Sequence, residues 1–125
     1  MHIGKDEFLN KYASHLNDNQ LRAVQKVDGP VLLLAVPGSG KTTVLVNRLG
    51  YMIFCEDINP SNILALTYNR AAIADLSRRF TSVFGEEYSD LIEFRTINGI
   101  CQKIILKYSN MIGKPAFSLC EDEKV

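Results

Sequence analysis

The chain has no surplus of charge: 14 Lys and Arg balance 14 Asp and Glu over 125 residues. A general attraction to polyanions is therefore no argument for nucleic-acid binding, which has to rest on local chemistry. No apolar run approaches the ~20 residues that a membrane span needs. The opening MHIGKDEFLN lacks the apolar centre of a signal peptide. These absences predict a cytoplasmic protein without a membrane partner. Histidine is scarce, and His2 and His15 lie in a polar region with no catalytic partner nearby, so both are expected to face solvent. Cysteine is scarce and odd in number. Cys55, Cys101 and Cys120 fit neither a zinc site nor a disulfide framework. They are expected to be reduced, mostly buried thiols.

What is present is an ordinary globular mix, 46% hydrophobic and 22% charged, long enough for one compact domain. There is no internal repeat or low-complexity tract. Leu16 to Val27 reads as a helix, with Asn17 or Asp18 as cap and Leu21, Val24 and Val27 at helical spacing. Asp28-Gly29-Pro30 ends it. Val31 to Val36 is a short, continuous apolar run that predicts a strand buried on both faces. After a loop at Gly38 to Gly40, a helix runs from Thr42 to about Phe54.

Asn59-Pro60-Ser61 punctuates the chain again. Ile63 to Thr67 predicts a second buried strand, and Asn69 to Phe84 a helix with Ala72, Leu76 and Phe80 on one face. Gly85 to Asp90 reads as a polar turn, Leu91 to Arg95 as a third strand, and Ile97 to Met111 as a third strand-following helix. In that last helix Ile100, Ile104 and Tyr108 recur at helical spacing, and Gly113-Lys114-Pro115 ends it. Three strands, each followed by a helix, imply an α/β fold with a parallel sheet. The acidic end of Phe117 to Val125 has no closing element, which predicts a piece of a longer protein.

Ala35-Val36-Pro37-Gly38-Ser39-Gly40-Lys41-Thr42 matches the phosphate-loop pattern G-x-x-x-x-G-K-[ST], with Ala at the first Gly. The loop must turn backbone N–H groups inward around phosphate oxygens, and Gly reaches the required conformations without strain. Gly38 and Gly40 meet that need, and the following helix adds its positive end. Lys41 supplies charge for the β- and γ-phosphates, and the Thr42 hydroxyl is the candidate Mg²⁺ ligand. These two are the candidate catalytic residues. Pro37 has no N–H to donate. Ala35, Gly38, Ser39, Gly40, Lys41, Thr42 and Thr43 form the candidate nucleotide-binding set.

Four segments in register resemble superfamily 1 DNA helicases of the UvrD/Rep type. They are Leu16 to Val24 (LNDNQLRAV), Ala35 to Arg48 (AVPGSGKTTVLVNR), Ile63 to Arg79 (ILALTYNRAAIADLSRR) and Arg95 to Leu106 (RTINGICQKIIL). The resemblance implies ATP and Mg²⁺ as cofactors and a phosphate-loop NTPase fold of the RecA-like kind. It casts 1–15 as a lead-in, 16–115 as the N-terminal part of the first motor domain and 116–125 as the start of the next segment. It gives Gln20 the adenine edge, for which a carboxamide offers a donor and an acceptor. It also places Thr67, Tyr68, Asn69, Arg70, Thr96 and Asn98 along a single-stranded DNA track, where Tyr68 could stack on a base and Asn69 could meet a phosphate. The competing reading puts Tyr68 in the core and Asn69 on a helix cap. Arg70, Arg78 and Arg79 are either charge beside the track or a solvated helix face.

The sequence departs from the family pattern in places. Thr67 to Ala72 is one residue shorter than T-F-T-N-K-A-A, and Thr96-Ile97-Asn98 stands where the family has Thr-Phe-His, so Ile97 cannot stack as an aromatic would. The acidic pair that binds Mg²⁺ and activates water has no convincing counterpart; Glu121-Asp122-Glu123 resembles it only superficially. The arginine fingers and the adenine-stacking aromatic of a C-terminal motor domain are likewise not found. The expectation is the ATP-binding part of a motor moving along single-stranded DNA, 3′ to 5′, and unwinding duplex at junctions. On its own the chain is expected to be inactive. Two rival readings stay open: a phosphate-loop kinase or other nucleotide-dependent transferase, and a non-catalytic nucleotide-binding regulator.

Overall fold

A computed structural model describes residues 2–34 and 40–113. The elements in chain order are α1 (Lys5–Tyr12), α2 (Asp18–Gln25), α3 (Lys41–Phe54), a 3₁₀ turn (Pro60–Asn62), β1 (Leu64–Thr67), α4 (Arg70–Phe84), α5 (Glu86–Ser89), β2 (Glu93–Thr96) and α6 (Ile97–Ile112). β1 and β2 pair in parallel, with Leu64 opposite Glu93 and Thr67 opposite Thr96. The result is helices around a short, two-stranded parallel sheet, compatible with a RecA-like fold.

Caps set most helix boundaries. Asn17 accepts from the N–H of Gln20, whose own side chain accepts from the N–H of Asn17, closing a reciprocal capping box. Asn69 accepts from the Ala72 N–H at 2.8 Å, and Thr96 from the Gly99 N–H at 3.0 Å. Each polar cap therefore turns the chain from an extended segment into a helix within one residue.

The core is aromatic. The Phe84 ring lies 4.9 Å from Tyr12, 5.0 Å from Phe80, 5.5 Å from Phe54 and 6.0 Å from Phe8. Phe8 and Phe80 are fully buried. Gly50 on α3 lets this cluster close: a Cβ there would stand 2.2 Å from the Phe84 ring. The N-terminus is tied to the end of α3, where the Ile3 N–H donates to the Phe54 carbonyl at 2.8 Å and exposed His2 meets Asp57 at 3.0 Å. His15 is also exposed, as expected.

Several expectations need correction. Val31 to Leu34 form no strand, and Leu32 and Leu34 are 82% and 83% exposed. An apolar run becomes a buried strand only with a pairing partner and covered faces, and neither described strand pairs with it. Instead a cleft of about 700 Å³ separates it from α2. Val36, the end of that expected strand, lies outside the described residues. The expected three-stranded sheet is thus two-stranded among the described residues.

The strand at Ile63 to Thr67 is covered on one face only. Ile63 and Ala65 are buried, while Leu64 and Leu66 are each 46% exposed. The last strand is shifted to Glu93–Thr96, and the polar turn at Gly85 to Asp90 contains the short helix α5. Cys55 is buried but Cys101 is exposed, because its helix α6 has few neighbours to cover it. Cys120, Glu121 to Glu123 and the expected segment 116–125 lie outside the described residues. No helix among the described residues is long and apolar enough to cross a membrane.

Candidate nucleotide and nucleic-acid sites

Gly40 opens α3 at φ +88° and ψ 28°, a left-handed conformation that a side chain would strain. It caps α3 without a side-chain hydrogen bond, and the first turn carries no acid. α1, also capped by a glycine, has Asp6 and Glu7 in its first turn. Only Lys41 contributes charge at the start of α3, so the helix dipole and the ammonium act in the same direction. An anion fits here, because nothing negative competes with it in that turn. Lys41 is exposed, and Thr42 and Thr43 are partly buried beside it. Ala35, Gly38 and Ser39, the remainder of the expected nucleotide set, lie outside the described residues, as do Val36 and Pro37.

Gln20 reaches the same place from α2. Its Nε2 lies 4.0 Å from where a Gly40 Cβ would stand. Its Oε1 already accepts from the Asn17 N–H at 3.0 Å, which uses one lone pair and fixes the side chain. The C-terminal end of α2 is also joined to the middle of α3. Arg48 Nη2 on α3 donates to the Lys26 carbonyl, the C-cap of α2, at 2.8 Å. Sequence reasoning gave Arg48 no role; the available signal was a charged residue inside the apolar stretch VLVNRLGYMIF.

The second cluster lies at the carboxyl ends of the strands. The register pairs Thr67 with Thr96, so Tyr68 and Asn69 before α4 and the first residues of α6, Ile97 and Asn98, emerge side by side. Ligands of parallel sheets gather at such ends. Tyr68 is 86% exposed, which excludes a core role for it. Asn69 caps α4 through Oδ1, and Thr67 Oγ1 donates to the Asn69 carbonyl at 3.1 Å. Asn98 and Arg70 are exposed, and Ile97 is about half exposed.

Arg78 and Arg79 both pair with Asp75 along α4, at 2.5 and 3.1 Å, which ties them to one carboxylate on the solvated helix face. Glu93 pairs with Lys103 and Arg95, and these cations hold its carboxyl below the ordinary value. Burial pushes the Cys55 thiol up, away from thiolate chemistry. Among the described residues no group of three or more His, Cys, Asp or Glu is placed to hold a metal ion.

A family model described as the UvrD/REP helicase N-terminal domain matches residues 16–125. The chain is 32% identical over 105 residues to the ATP-dependent DNA helicase PcrA of Staphylococcus aureus (strain Mu50). It is 34% identical over 105 residues to the helicase of the same name from Staphylococcus epidermidis (strain ATCC 35984). Each match covers 84% of this chain and 14% of the relative, so the chain spans about one seventh of the curated relatives it matches.

Proposed function

The chain belongs to the UvrD/REP helicase family, and we propose that it is the ATP-binding front of an ATP-dependent motor that moves along single-stranded DNA, 3′ to 5′, and unwinds duplex at junctions. Membership decides against the kinase reading. The observation that carries the proposal is the start of α3: a left-handed Gly40, a lysine, no acid, and the Gln20 amide at the loop.

In this reading backbone N–H groups around Gly38, Ser39 and Gly40 cradle the triphosphate, with Ala35 at the loop's start. Lys41 holds the β- and γ-phosphates, and Thr43 lines the first turn beside them. Thr42 offers its hydroxyl to Mg²⁺, which neutralises charge on the phosphates when bound. Gln20 meets the adenine edge through its side-chain amide, which offers both a donor and an acceptor.

Thr67, Tyr68, Asn69, Arg70, Thr96 and Asn98 form the DNA track at the strand ends. Tyr68 supplies a stacking face, worth roughly 1–3 kcal/mol per base in comparable sites. Hydrolysis also needs an acid to orient water, and an arginine worth roughly 10³–10⁵ in rate. The strand ends Thr67 and Thr96 carry hydroxyls instead. We therefore expect this chain alone to bind Mg-ATP without measurable turnover.

The test is ATP hydrolysis by the protein that carries this segment, with and without single-stranded DNA. DNA should stimulate hydrolysis, and Lys41→Ala should abolish it. Hydrolysis indifferent to DNA, or surviving Lys41→Ala, would refute the proposal.

A further inference from the structure

We infer that Arg48 is a positioning residue for base recognition, acting through α2 on Gln20; the inference rests on the nucleotide reading above. α2 has only eight residues, too few to hold its shape or place alone. It packs against α3 through buried Ala23 and Val24, and a hydrogen bond ties its C-terminal end there. At its N-terminal end the capping box fixes Gln20, whose Nε2 lies at Gly40. At its C-terminal end Lys26 leaves the helix at ψ 93°, and its carbonyl accepts from Arg48. Arg48 follows Lys41 by two helical turns, so the face of α3 that meets the loop also meets the far end of α2. Buried Ala23, Val24 and Val44 fill the space along these helices.

Packing does not account for an arginine here. Its Nε is buried without an acceptor. An aliphatic side chain would fill the same volume without leaving a donor unsatisfied. What an aliphatic side chain cannot do is hold the Lys26 carbonyl. With that hold gone, the C-terminal end of α2 loosens on α3 and the Gln20 amide loses its fixed distance from Gly40. Lys41 and Thr42, which meet the phosphates and Mg²⁺, sit on α3 itself and keep their places. Arg48 therefore governs the base-dependent share of affinity and leaves the triphosphate share alone.

The test compares binding of Mg-ATP with Mg-tripolyphosphate by titration of the whole chain. Wild type should prefer Mg-ATP by roughly five- to tenfold, the contribution of about one hydrogen bond. Arg48→Met should bring that preference to within about twofold while leaving tripolyphosphate affinity unchanged, and Gln20→Ala should do the same. The double variant should lose nothing more, since both act on one contact. Arg48→Lys, which keeps a donor, should restore most of the preference, and Arg48→Leu carries the test if the Met variant fails to fold. Equal weakening toward both ligands, an unchanged preference in Arg48→Met, or additive losses would overturn the inference. A wild-type chain that binds neither ligand would instead overturn the nucleotide reading itself.

Discussion

α3 and α6 are both apolar helices of similar length, yet they end in opposite environments. α3 buries eight of its 14 residues against α1, α2 and α4. α6 buries only Ser109 of its 16, and Ile104, Tyr108 and Met111 are 60%, 61% and 76% exposed. The difference lies in neighbours rather than in composition. α3 is met by rings from several elements, with Gly50 cut away so that Phe84 can reach it. α6 meets β2 and is pinned by the Lys103 contact to Glu93, and little else among the described residues covers it. One side of the molecule is thus a finished core, on which α3 opens at Lys41. The other side keeps a large apolar surface next to the proposed DNA track.

That contrast can be broken by substitution. Phe80→Ala removes a fully buried ring and should cost about 3–5 kcal/mol, enough to unfold much of the chain, read by urea denaturation. Ile104→Ala, a deletion on the exposed helix, should stay within about 0.5 kcal/mol in the same assay. Comparable losses at the two positions would mean that α6 is as well packed as α3.

Gly50→Ala should fall between these. The added methyl collides with Phe84, which is hemmed in by four other rings, and such overpacking costs about 1–3 kcal/mol. Better helix propensity returns up to ~1 kcal/mol. The expected net loss is about 1–2 kcal/mol, and it should disappear in the Gly50→Ala, Phe84→Leu double variant, where the ring is gone. Additive losses in that pair would contradict the contact.

The smallest effect concerns Glu93. Lys103 and Arg95 lower its pKa from 4.5, so its pairing stabilises the fold above that value and is lost as pH falls through the lower folded pKa. Glu93→Gln should lower stability slightly at neutral pH, and the difference from wild type should vanish as pH falls through the folded pKa of Glu93. The side chain is partly exposed, and water screens the pairing.

How much of this was legible in the sequence follows the same division. Features set by a few neighbouring residues were readable: the Asn17, Asn69 and Thr96 helix starts, the extent of α3 and α4, and the parallel pairing of Ile63 to Thr67 with the later strand. Of the two readings of Tyr68 and Asn69, the structure excludes a core place for exposed Tyr68 and makes Asn69 a helix cap. Features set by distant partners were not readable. α1 reads as polar, and only the rings of Tyr51 and Phe84 make Phe8 a core residue. Apolar periodicity in Ile100, Ile104 and Tyr108 marked a helix face but could not say whether anything covers it. Val31 to Leu34 had strand composition without a strand partner. Arg48 shows its role only when the Lys26 carbonyl is placed beside it.

The account rests on the start of α3 gripping a nucleoside triphosphate, and calorimetric titration of the purified chain with Mg-ATP tests that most directly. Saturable binding with a Kd of about 1 mM or tighter is predicted, lost in Lys41→Ala while the thermal unfolding midpoint is unchanged. No binding by wild type, or equal affinity in the Lys41→Ala variant, would contradict it.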